Sequence, residues 1–139
     1  MPNDGPIIII EDDEDDRVFI ASAIKQCGLE NELKFFDNGK PALEYLYATT
    51  DRPFLIFCDI NMPVMNGLEL RRRINDDVFL RRKSIPFVFL TTTDNRQHVE
   101  EAYDLTIQGF FKKPNNLEEL RHVTQEIVGY WLKCLHPNT

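Results

Sequence analysis

Phe54-Leu55-Ile56-Phe57-Cys58-Asp59-Ile60-Asn61-Met62-Pro63 is an unbroken apolar run, then an acid, then a loop that proline interrupts. Odd and even positions of the run are both apolar, so it has no solvent face. That is the habit of a strand buried on both sides, in a parallel sheet covered by helices. Working outward, Ile7-Ile8-Ile9-Ile10 and Phe87-Val88-Phe89-Leu90 repeat the pattern, and Leu33-Lys34-Phe35-Phe36 and Phe110-Phe111 are weaker versions of it.

Helical patterns fill the gaps. Ile20, Ala23, Ile24 and Cys27 make one stripe, with Gly28 as a C-terminal cap. Leu43, Leu46 and Tyr47 make a second, with Pro41 suited to a first turn. Leu70 and Ile74 mark a third behind Asn66, and Val99, Ala102 and Tyr103 a fourth with Asp94 as its expected N-cap. Leu120, Ile127 and Trp131 share the face of a fifth, where Asn116 and Glu119 have capping-box spacing. The order βαβαβαβαβα, with right-handed crossovers, puts helices on both faces of one parallel sheet, an α/β three-layer sandwich. Asp76 to Ser84 is too long for a tight connection and too polar for a strand, and is expected to be an irregular extension.

The chain has 139 residues, 42% of them apolar, which fits one globular domain over 1–139 without an internal boundary. No apolar run approaches the roughly 20 residues that span a bilayer. The N-terminal residues lack a basic region and Ile7 to Ile10 is too short for a signal-peptide core, so a cytoplasmic location is expected. Cys27, Cys58 and Cys134 are odd in number and far apart, which suits free thiols rather than zinc or disulfides. A net charge of -7 argues against a general nucleic-acid binder. Arg71-Arg72-Arg73 and Arg81-Arg82-Lys83 read as solvated faces, the alternative being a docking patch for an acidic partner.

Ligands of open parallel sheets bind beyond the carboxyl ends of the strands. Glu11 and Asp12 follow Ile10, Asp59 follows Cys58, Thr91 follows Leu90, and Lys112 and Lys113 follow Phe111. Converging carboxylates repel one another unless a cation intervenes. Magnesium suits oxygen ligands, taking one or two carboxylates together with phosphate and water. Asp59 can then act as a nucleophile toward phosphorus. The metal, Lys113 and the Thr91 hydroxyl would each neutralise one phosphoryl oxygen. Taken alone, the acids Glu11 to Asp16 suit a helix first turn, where they favour the macrodipole, better than a metal. Only their occurrence together with Asp59, Thr91 and Lys113 favours a site.

Ile9-Ile10-Glu11-Asp12-Asp13, Cys58-Asp59-Ile60-Asn61-Met62-Pro63 with Asn66-Gly67, Leu90-Thr91-Thr92, and Phe110-Phe111-Lys112-Lys113-Pro114 together resemble the receiver domain of two-component response regulators over about residues 6–133. The resemblance implies a flavodoxin-like fold with strand order 2-1-3-4-5. It implies that Asp59 is the phosphoacceptor for a sensor histidine kinase or histidine phosphotransfer protein. Glu11, Asp12 (more directly), Asp59 and the backbone carbonyl of Asn61 would hold Mg2+, or Mn2+ in its place. Lys113 would contact the phosphoryl group, with a cis peptide between Lys113 and Pro114. Thr91 would move toward that group and Phe110 would swing inward. The altered surface would comprise the fourth helix, fifth strand and fifth helix, the same elements through which a homodimer could form, although the periodicity shows no seam. Asn61, Thr92 and Thr93 would modulate access and phosphoryl lifetime. Thr92 stands where the family often has Ala or Gly, Thr106-Ile107 replaces a frequent Gly-Ala, and Phe110 lacks the hydroxyl of the common Tyr. Adjacency to Pro114 selects Lys113 over Lys112. The long connection after the third helix resembles regulators paired with phytochrome-type kinases.

With the chain ending at Thr139, no output domain is expected, and the downstream partner would be a protein. Nucleic acid, membrane and any enzymatic activity beyond its own phosphorylation and dephosphorylation are not expected. Two other readings share residues with this one. A phosphate shuttle or sink would use the same site without a state-dependent output. A phosphohydrolase would need a second acid where Asn61 stands.

Overall fold

A computed structural model describes residues 2–138; Met1 and Thr139, the two ends of the span read as one domain, lie outside the described residues. Five strands, β1 (Ile7–Ile10), β2 (Leu33–Phe36), β3 (Leu55–Cys58), β4 (Phe87–Thr91) and β5 (Gly109–Lys112), pair in parallel in the order β2-β1-β3-β4-β5. Six α-helices connect and cover them: α1 (Glu14–Gln26), α2 (Gly39–Ala48), α3 (Gly67–Asp76), α4 (Val78–Arg82), α5 (Arg96–Asp104) and α6 (Leu117–Lys133). This is the flavodoxin-like order expected from the sequence.

Side chains alternate across a strand, so each apolar run feeds two cores. Ile8, Ile10, Ile56, Cys58, Phe87 and Phe89 join α2, α3, α4 and α5 on one face through Leu46, Leu70, Ile74, Leu80 and Ala102. Ile7, Ile9, Leu55, Phe57, Val88 and Leu90 join α1 and α6 on the other through Ile20, Ile24, Leu120 and Ile127. Fully burying each such side chain contributes roughly 1.5–3 kcal/mol, which is why the runs carry no polar residue until the strand ends. Among the described residues no helix is long and apolar enough to cross a membrane. The three thiols are free, and burial pushes that of Cys58 well up, leaving it inert.

Two local expectations need correction. The segment read as irregular contains α4. Asp77 closes α3 and caps α4 by accepting from the Leu80 N–H at 3.0 Å, and Leu80 inserts into the core beside α3. One buried leucine and one cap suffice for a single turn and a half, a pattern too short for periodicity to reveal. The N-cap of α5 is Asn95, not Asp94. Asn95 accepts from Gln97 N–H and His98 N–H, whereas the Asp94 carboxylate is taken by Lys112 at 2.9 Å. The expected caps Asn66 and Asn116 do accept from Glu69 N–H and Glu119 N–H, and Gly28 follows α1 with φ 79.

Thr106 adopts φ 60, a conformation that disfavours β-branched side chains and suits glycine. Arg71 offsets this by donating to the Leu105 and Thr106 carbonyls from α3, and the Thr106 hydroxyl donates to the Leu105 carbonyl at 2.7 Å.

Candidate functional site

The carboxyl edge of the sheet brings Glu11, Asp59, Thr91 and Lys113 together. Glu11 leaves β1 with its N–H donating to the Phe36 carbonyl at 2.9 Å, and its Oε2 accepts from Asp13 N–H at 3.2 Å. Asp59 leaves β3 with its N–H on the Ile10 carbonyl at 2.9 Å, and its Oδ1 accepts from Ile60 N–H at 2.7 Å. Thr91 is the fully buried last residue of β4, and its Oγ1 accepts from Thr93 N–H at 3.5 Å. Lys113 follows β5, its N–H donating to the Thr91 carbonyl at 2.7 Å. The main chain thus sets each residue's start point before any side chain acts.

Lys113 Nζ sits 2.5 Å from Glu11 Oε1, 2.8 Å from Asp16 Oδ2 and 3.4 Å from Asp59 Oδ2. Burial works against its charge, but hydrogen bonds to Asp16 and Glu11 and the charge of Asp59 hold it above the ordinary lysine range. Burial pushes the Glu11 carboxyl up to about 8, with the negative Asp59 adding to the rise and Lys113 opposing it. The adjacent Lys112 is exposed and pairs with Asp94, so strand alternation separates the two lysines.

Carboxylate oxygens of Glu11, Asp12 and Asp59 all lie within 4.8 Å of one another, with Asp12 exposed at the mouth and the other two buried. A hard divalent ion that keeps several waters fits this all-oxygen set; Mg2+ or Mn2+ would be held there and would neutralise the clustered charge. Asn61 and Thr92 are exposed and Thr93 half-buried in the surrounding loops. Gly67 donates its N–H to the Ile60 carbonyl at 2.9 Å, and a Cβ built on it would fall 2.2 Å from the Asp59 carbonyl oxygen. Phe110 is half-buried, its ring 5.9 Å from that of Phe89 and tilted by 52°.

One expectation fails and one residue was missed. Among the described residues no peptide bond is cis, so the Lys113–Pro114 bond is trans. The trans form is the lower in energy for an X–Pro bond, and from it Lys113 already reaches all three carboxylates. Asp16, read only as an acid of a helix first turn, contacts Lys113. Asp13 caps α1 by accepting from Asp16 N–H at 3.0 Å, and the Asp16 carboxylate accepts from Lys113 at 2.8 Å. The signal was present in the i, i+3 spacing of Asp13 and Asp16, but the adjoining acids masked it.

An acidic cluster, a buried hydroxyl and an ammonium at the carboxyl edge of a 2-1-3-4-5 sheet define a class of signalling domains. The response regulator receiver domain matches residues 7–125, and the chain belongs to that family, within two-component signalling. Response regulator Rcp1 of Synechocystis sp. is 31% identical over 134 residues, covering 93% of this chain and 90% of Rcp1. The structure of the phosphorylated cyanobacterial phytochrome response regulator RcpA superposes with a TM-score of 0.88 at 30% identity, covering 96% of this chain and 98% of RcpA. The Mn(2+)-bound form of Rcp1 superposes with a TM-score of 0.84 at 28% identity, covering 96% and 99%.

Proposed function

We propose that Asp59 accepts a phosphoryl group from a phosphohistidine of a sensor histidine kinase or histidine phosphotransfer protein, and that the product changes affinity for a downstream protein. The observation that carries this reading is the Lys113 ammonium 3.4 Å from Asp59 Oδ2, while Oδ1 is already held by the Ile60 N–H. One carboxylate oxygen is thereby kept in place, and the other faces a fixed positive charge. Asp59 Oδ2 attacks phosphorus, an O–P bond forms as the P–N bond breaks, and the histidine nitrogen leaves with the electron pair. Glu11, Asp12, Asp59 and the Asn61 carbonyl would hold a divalent cation, which supplies charge neutralisation at the phosphoryl oxygens. Lys113 and the Thr91 hydroxyl take the remaining oxygens, and Asn61, Thr92 and Thr93 tune water access to the acyl phosphate.

Movement of Thr91 and Phe110 links the site to α5, β5 and α6, and a state-dependent partner there needs a differential affinity of a few kcal/mol. The likeness to RcpA makes a phytochrome-type kinase the first donor to test. Incubation with a small phosphodonor and Mg2+, read by intact mass, should add one phosphoryl group, and Asp59→Asn should prevent it. Undiminished labelling of that variant would remove Asp59 from its role.

A further inference from the structure

A cavity of about 260 Å³ opens at the amino edge of the sheet, the end away from Asp59, between α3, α4 and the segments leading into β4 and β5. Its walls include apolar Leu46, Ile74 and Leu80 together with Arg71, Arg81 and Lys83. Arg71 is only 8% exposed. Its Nε donates to the Leu105 carbonyl and its Nη2 to the Thr106 carbonyl and hydroxyl, its Cζ lies 5.2 Å from the Phe87 ring centroid, and its Nη1 donates to none of the described residues. Arg81 reaches only the Asn75 carbonyl at 3.5 Å, and Lys83 the Thr49 carbonyl at 3.2 Å and the face of Phe79. Among the described residues none of the three cations pairs with a carboxylate.

Such a gathering runs against the composition. In a chain of net charge -7, acids outnumber bases, yet among the described residues three cations border one cavity and no acidic side chain does. A partly desolvated guanidinium whose Nη1 donates to none of the described residues can bind a carboxylate oxygen. At roughly 30 Å³ per water, the space accommodates about nine water-sized groups, too few for a nucleotide. We propose that this cavity binds a small organic monoanion, its carboxylate on Arg71, Arg81 and Lys83 and its compact apolar body against Leu46, Ile74 and Leu80. Since Arg71 also holds the end of α5, an occupant is coupled to that helix.

Amide correlation spectra of the full chain, titrated with sodium benzoate or with neutral benzamide at constant ionic strength, test this. Benzoate should give saturable shifts at Leu80, Ser84 and Thr106, and benzamide should bind about tenfold more weakly, the worth of one charge-assisted hydrogen bond. Removing Arg71 risks unfolding the end of α5, so Arg81→Gln combined with Lys83→Gln carries the test; it should weaken benzoate while leaving the rest of the spectrum in place. Absence of saturable shifts, equal binding of benzamide, or undiminished binding by the double variant each overturns the proposal. Asp59→Asn should bind benzoate like the parent, which separates this site from the phosphoacceptor reading.

Discussion

Lys113 Nζ stands nearer to Asp16 Oδ2, at 2.8 Å, than to Asp59 Oδ2, at 3.4 Å. The ammonium is therefore drawn partly off Asp59 by a carboxylate outside the cation-sized cluster of Glu11, Asp12 and Asp59. Asp16→Asn should let Lys113 settle on Glu11 and Asp59, the oxygens a divalent ion needs, while also deleting one negative charge. Both effects weaken Mg2+, by about tenfold for a charge a few ångströms away at a partly exposed site. Calorimetric titration of Mg2+ checks this; equal affinities would confine Asp16 to packing.

Lys113→Met should destabilise the metal-free protein by about 3 kcal/mol near neutral pH, because it leaves the buried Asp59 carboxylate, with Asp16 beside it, without a counter-charge. Added Mg2+ should recover most of that loss. Urea unfolding with and without the ion gives both numbers, and an unchanged midpoint would contradict the pairing.

The pH dependence has a definite sign. Glu11 in the folded protein is raised from 4.5 to about 8, so between those values the native state binds more protons than the unfolded chain. Its contribution to stability is present at the acid end and is lost as pH climbs through that window. The difference in unfolding free energy between the parent and Glu11→Gln should follow this slope in metal-free buffer. Mg2+ must displace the same proton, so its affinity should strengthen as pH approaches about 8. A flat difference curve would dismiss Glu11 as the titrating group.

Asn66 caps α3 by accepting from Glu69 N–H at 2.9 Å. Asn66→Ala should cost about 0.5–2 kcal/mol in thermal or chemical unfolding. The substitution lies just before Gly67, so its effect on phosphorylation rate reports how far the loop after Asp59 depends on that cap.

The architecture was legible wherever a strand is buried on both faces. Ile7–Ile10, Leu55–Cys58 and Phe87–Leu90 all proved strands, and the residue after each apolar run marks the carboxyl edge of the sheet. Legibility failed where one residue type serves two purposes. Acids in a helix first turn look alike, so Asp16 could not be told from its neighbours. Asp94 was the better cap on paper until Lys112, brought close by the fold, claimed it. Leu80 is the one buried residue of α4, which leaves no repeat to detect. The peptide geometry before Pro114 came from the family resemblance, and this chain departs from it.

Gly67 has a consequence of its own. The atom it lacks would overlap the Asp59 carbonyl oxygen at 2.2 Å, and backbone cannot yield there as a flexible side-chain tip could. Even a methyl at this position should therefore displace the peptide that follows β3, and with it the Asp59 carboxylate that Lys113 contacts. Placement of Asp59 thus depends on the side chain that the first residue of α3 lacks, a spacing set by subtraction.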